Sequence, residues 1–113
     1  MITLYGIKNC DTMKKTLKWF DAQQIDYTFI DYKKVPPDES LAKRFIEQKG
    51  WQTIINKRGT TWRKLSEDVK ASMDDRAAIE LIQQQPSIIK RPIVETDSTL
   101  IVGYDEAHFE QLK

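Results

Sequence analysis

Ile2-Thr3-Leu4-Tyr5-Gly6-Ile7-Lys8-Asn9-Cys10-Asp11-Thr12-Met13-Lys14-Lys15-Thr16-Leu17-Lys18-Trp19-Phe20 decides how the chain folds, because its hydrophobic period changes halfway along. Ile2 and Leu4 alternate with Thr3 and Tyr5, the period of a strand with one buried face, and Gly6 ends it. From Asp11 the pattern becomes helical. Met13, Leu17 and Phe20 fall at i, i+4 and i+7 with Thr16 beside them, while Lys14, Lys15, Lys18 and Asp21 lie elsewhere around the wheel. A helix over residues 11–24 is expected, and Asp11 or Thr12 suits the unpaired N–H groups of its first turn. Cys10 stands at the junction.

Working outward, Tyr27-Thr28-Phe29-Ile30-Asp31-Tyr32 is rich in aromatic and β-branched residues and reads as a second strand. The resulting β-α-β unit makes the two strands parallel through a right-handed crossover. Cys10 then lies at the carboxyl end of a strand, the edge where open α/β sheets usually bind ligands. Pro36-Pro37-Asp38 stops the second strand and begins a helix with Leu41, Ala42, Phe45 and Ile46 as its apolar stripe and Gly50 at its end. Trp51-Gln52-Thr53-Ile54-Ile55 fits either a short strand or a helical turn; helical turns on both sides of the basic loop Asn56-Lys57-Arg58-Gly59 are the favoured reading.

Asp74 caps a further helix running to Ile82, and Pro86 terminates it. Residues 88–95 and 99–103 flank Thr96-Asp97-Ser98 as an antiparallel hairpin. A last helix over residues 105–112 would cover a sheet face either with Ala107, His108 and Leu112 or with Phe109 and Leu112.

With 113 residues, 40% apolar and 31% charged, residues 1–113 are expected to form a single domain with a real core. A formal net charge of +1 gives no reason to expect nucleic acid or an anionic membrane as a partner. The first residues lack the basic start and apolar run of a secretory signal, and no stretch approaches the ~20 apolar residues that cross a bilayer. A cytoplasmic location is expected. One cysteine forms no internal disulfide, which suits a reducing compartment and removes a structural-disulfide explanation of Cys10.

An ordinary thiol with a pKa near ~8.5 is only about 3% ionised at neutral pH, and the thiolate is the nucleophile. Lowering that pKa to roughly 6 requires about 3 kcal/mol of differential stabilisation. A helix dipole contributes up to ~2 kcal/mol in favourable, partly buried geometry. Unpaired N–H groups and a cation must provide the remainder. Lys8, Lys14 and Lys15 are near in sequence, whereas His108 lies almost at the other end, so a Cys-His pair would have to be made by the fold.

Three segments carry a family resemblance: Gly6-Ile7-Lys8-Asn9-Cys10-Asp11-Thr12-Met13-Lys14-Lys15, Asn56-Lys57-Arg58-Gly59-Thr60-Thr61-Trp62-Arg63-Lys64-Leu65 and Pro86-Ser87-Ile88-Ile89-Lys90-Arg91-Pro92-Ile93. Together, in this order, they resemble the arsenate reductase (ArsC)/Spx family, and its YffB-type subgroup best. The resemblance implies an α/β, thioredoxin-like fold, βαβ…ββα around a mixed sheet, with a helical insertion between the second and third strands. It implies that Cys10 is the nucleophile. It also implies that Arg91-Pro92 is the pair placed opposite the cysteine across a cis bond, and that Arg58 is a second arginine holding an oxyanion or a glutathione carboxylate. Asn9, Thr12, Lys14, Arg58, Arg91 and Pro92 are thus the expected substrate- or glutathione-binding positions; for Lys14 a solvent-facing role weighs equally. Two departures matter. Val102-Gly103-Tyr104-Asp105 has no arginine where the arsenate reductases carry a third, and Met13 stands where the Spx regulators have the second cysteine of Cys-x-x-Cys.

The expected function is a monothiol, glutathione-dependent thiol-disulfide reductase. Without a resolving cysteine, an adduct on Cys10 must be released by an external thiol, with glutathione as co-substrate and no metal or tightly bound cofactor. One alternative is arsenate reduction coupled to glutathione and glutaredoxin. The other is a non-enzymatic, Spx-like adaptor that binds RNA polymerase.

Overall fold

Four strands and seven α-helices follow one another in the computed structural model, which describes residues 1–113. The order is β1 (Thr3–Gly6), α1 (Asp11–Ala22), β2 (Thr28–Asp31), α2 (Glu39–Lys49), α3 (Trp51–Ile54), α4 (Thr60–Arg63), α5 (Glu67–Ala71), α6 (Asp75–Gln84), a 3-10 turn (Pro86–Ile88), β3 (Ile93–Glu95), β4 (Leu100–Val102) and α7 (Glu106–Glu110). The chain forms two compact units. Met1–Tyr32 with Arg91–Lys113 makes the first, and Lys33–Lys90 the second. No helix is long and apolar enough to cross a membrane.

In the first unit the sheet order is β2-β1-β3-β4. β1 runs parallel to β2, with Thr3 opposite Thr28 and Gly6 opposite Asp31. It is antiparallel to β3, with Leu4 opposite Val94, and β4 returns antiparallel along β3. This is the mixed α/β sheet expected, with α2 to α6 between the second and third strands. The reading of β1 as buried on one face needs correction. Leu4 and Tyr5 are both buried, and neighbours in a strand point to opposite faces, so this central strand is covered on both.

Leu4, Phe20, Val94, Ile101 and Phe109 form the core of this unit. Phe20 comes from α1 and Phe109 from α7, with ring centroids 5.3 Å apart. α7 therefore covers the sheet by the second expected face, while Ala107 and His108 are exposed. The hairpin strand begins at Ile93 rather than 88. Pro86–Ile88 is a 3-10 turn, and Pro92 has no N–H to give a ladder.

In the second unit α2 starts where Asp38 accepts a hydrogen bond from the Leu41 N–H at 2.8 Å, and it stops at Gly50, whose φ of +80° suits glycine. α6 starts the same way, Asp74 accepting from the Ala77 N–H at 2.8 Å. Ala42, Phe45 and Ile46 of α2 and Ala78, Leu81 and Ile82 of α6 are buried, and the two helices pack together. α3 and α4 are the favoured helical turns flanking the basic loop. α5 has no counterpart in the sequence reading. It is capped by Ser66 but buries no residue, so it carries no apolar stripe to read.

Candidate active site

The thiol is positioned by a strand end and a helix start. β1 ends at Gly6, a short turn follows, and Cys10 is the N-cap of α1, with extended backbone and its carbonyl accepting from the Lys14 N–H at 2.9 Å. Gly6 permits the close approach of this helix to its strand. A Cβ there would clash with Sδ of Met13, whose side chain is fully buried. Beside it, the Tyr32 N–H donates to the Gly6 carbonyl at 2.9 Å, extending the pairing of β1 with β2 by one residue.

Arg91 comes back to this edge just before β3. Its Nε donates to Cys10 Sγ at 3.3 Å and its Nη1 donates to the Tyr32 hydroxyl at 3.2 Å. Arg91-Pro92 is a cis peptide bond. Burial pushes the Cys10 thiol up, but the Met13 and Thr12 backbone N–H groups and the Arg91 guanidinium together outweigh it and leave the thiol below its ordinary value. The Cys10 side chain closes no cap hydrogen bond, yet the nearby first-turn amides favour its anionic form. The arrangement holds a half-buried sulfur, biased toward thiolate, against a permanent cation.

Thr12 is half-buried and acts on the sulfur through its N–H, while its carbonyl accepts from Thr16 Oγ1 at 2.7 Å. Asn9 is exposed in the turn before Cys10, and Lys14 is exposed on α1. Among the cations near in sequence, Lys15 places Nζ over the Tyr104 ring, 4.3 Å from its centroid, and the guanidinium bonded to sulfur is that of Arg91. Pro92 is buried, and its carbonyl accepts from the Gly103 N–H at 2.8 Å. His108 pairs with Asp105 at 2.6 Å rather than with Cys10. Arg58 belongs to the second unit, exposed in a turn where its N–H donates to Asn56 Oδ1 at 3.1 Å. Beside it, Lys57 lies over Trp51, 4.8 Å from the ring centroid, and Trp51 stacks on Trp62.

Tyr32 is the residue that sequence reasoning missed, having read it as the last residue of a strand. The usable signal was positional. β2 is parallel to β1, so its carboxyl end emerges beside the edge that carries Cys10, and a tyrosine there brings a hydroxyl to that edge.

A sequence model of the ArsC family matches residues 5–112. The fold is similar to that of the solved YFFB protein, with a TM-score of 0.93, 45% identity, and coverage of 98% of this chain and 97% of that one. It is also similar to an arsenate reductase (ArsC) related protein from Brucella melitensis, with a TM-score of 0.81, 48% identity, and coverage of 97% and 92%. The sequence is 31% identical over 108 residues to the global transcriptional regulator Spx of Listeria innocua, covering 94% of this chain and 82% of the regulator.

Proposed function

This chain belongs to the ArsC family, and on that premise we propose that it is a monothiol, glutathione-dependent thiol-disulfide reductase with Cys10 as nucleophile. The Cys10 thiolate attacks the glutathione sulfur of a mixed disulfide. A Cys10-glutathione disulfide forms, the substrate sulfur leaves as a thiolate, and water protonates it according to its pKa. A second glutathione thiolate then attacks the adduct at the glutathione sulfur, releasing oxidised glutathione and restoring the Cys10 thiolate. Each step moves one unit of negative charge between sulfurs, and the Met13 and Thr12 N–H groups with Arg91 stabilise it at Cys10.

The observation that carries this reading is the Arg91 Nε contact on Sγ, at 3.3 Å, in a chain whose single cysteine leaves no internal thiol to resolve an adduct. In the same proposal Asn9, Lys14 and Pro92 contribute to holding glutathione, Lys14 through a carboxylate; Arg58, in the second unit, has the guanidinium chemistry to bind a carboxylate. The proposal includes a single domain over residues 1–113, a reducing cytoplasmic setting, and no metal or tightly bound cofactor.

Mass measurement after oxidised glutathione tests it. One glutathione on the wild type and none on Cys10→Ser is expected, and reductase activity unchanged in Cys10→Ser would sink the proposal. Arsenate turnover with glutathione, run alongside, would move the substrate to arsenate. The identity to a global transcriptional regulator favours a second reading, an adaptor for RNA polymerase. That reading predicts polymerase binding that survives Cys10→Ser.

A further inference from the structure

Tyr32 is fully buried, yet its hydroxyl is not needed to fill space, since phenylalanine has nearly the same shape. A buried hydroxyl is costly unless bonded, and this one accepts from Arg91 Nη1 at 3.2 Å. The tyrosine is itself held rigidly. Its N–H is bonded to the Gly6 carbonyl, at the strand end from which the Cys10 turn departs. Arg91, by contrast, has a long stem with much rotamer freedom and only a planar, rigid tip. Nη1 and Nε belong to that one plane, so anchoring the first aims the second.

We infer that Tyr32 is a positioning residue, a buried anchor that holds the Arg91 guanidinium against the Cys10 sulfur. This rests on the reading of Cys10 as nucleophile. Arg91 bonds the Tyr32 hydroxyl, and the charges of Arg91, Cys10 and Asp31 act on its phenol. Burial pushes the phenol up, outweighing the opposing pull of Arg91, so Tyr32 stays neutral and does not compete with the thiolate as an anion. The cation is thereby oriented by one partner and left electrostatically available to the other.

The test is the pH profile of Cys10 alkylation by iodoacetamide in the full chain, for wild type, Tyr32→Phe, Arg91→Ala and the double variant. In Tyr32→Phe the midpoint moves up, and alkylation near pH 6 slows about three- to ten-fold, the worth of one ordinary hydrogen bond. Arg91→Ala slows it at least as much, and adding Tyr32→Phe to Arg91→Ala changes nothing further. A Tyr32→Phe profile that superimposes on wild type overturns the inference, as does an equal further loss in the Arg91→Ala background. Circular dichroism checks folding. Should Tyr32→Phe not fold, exchange of the wild-type Arg91 Nη1 protons, which the Tyr32 hydroxyl accepts, decides instead. Slowed exchange is expected, and exchange at the rate of a free arginine overturns the inference. A wild-type midpoint equal to that of a free thiol overturns the nucleophile reading itself, whatever the variants do.

Discussion

A thiol that sits beside a guanidinium and two helix N–H groups is a stronger acid folded than unfolded, and this links the stability of the protein to pH. Because the folded pKa of Cys10 is depressed, its contribution is fully present above the unfolded pKa of ~8.5 and is lost as pH falls through the folded value. Urea denaturation of wild type and Cys10→Ser at a series of pH values should therefore show the difference growing in favour of wild type as pH rises through that window. A difference independent of pH would contradict the lowered thiol pKa. Gly6 offers a second test at single-residue scale. Its missing Cβ is the room that Met13 occupies, so Gly6→Ala should cost about 1–3 kcal/mol in urea unfolding, as overpacking does. Adding Met13→Ala should cost less than the sum of the two single changes, because the clash is then gone.

At the scale of elements, legibility followed length and burial. α1, α2 and α6 each combine a side chain able to cap the helix or sit in its first turn with an apolar stripe, and their identities and approximate limits were readable for that reason. α1 stops at Ala22, two residues short of the expected end, and Gln24 takes a positive φ of 58° in the turn beyond it. α5 was not readable, because a five-residue helix with no buried side chain leaves no period in the sequence. The early start expected for β3 failed for another reason. Ile88 and Ile89 are buried and β-branched like strand residues, but the first closes a 3-10 turn and the second forms an isolated bridge with Ile55. For the readable helices the caps are measurable. Asp38→Ala should destabilise the protein by about 1 kcal/mol by urea denaturation, with Asp38→Asn retaining most of the stability, since the asparagine side-chain oxygen also accepts the Leu41 N–H.

Over the whole molecule, the thiol environment is a product of folding. Cys10 and Arg91 are 81 residues apart in sequence and Tyr32 and Arg91 are 59 apart, yet all three meet through side-chain hydrogen bonds. Unfolding must therefore abolish the acidity of the thiol. In concentrated urea the alkylation midpoint of Cys10 should rise to that of a free thiol, about 8.5, and Arg91→Ala should then have no effect on it. A midpoint that stayed low in urea would assign the acidity to local sequence, with Lys8, Lys14 and Lys15 as its source.

The sequence by itself determined a single cysteine at a strand-to-helix junction, a β-α-β start, and the order of the later helices that bury an apolar stripe and of the hairpin. These are properties of hydrophobic period, caps and turn residues, which act over a few positions. Which cation faces the sulfur was decided by the tertiary structure. Lysines lie within five residues of Cys10 on either side, but helix and turn geometry leaves Lys8 and Lys14 exposed. The antiparallel register of β3 on β1 brings Arg91 back to the edge where β1 ends, and there the Tyr32 hydroxyl accepts the other hydrogen bond of its guanidinium. That contact depends on the alignment of strands far apart in the chain, and no local pattern encodes it.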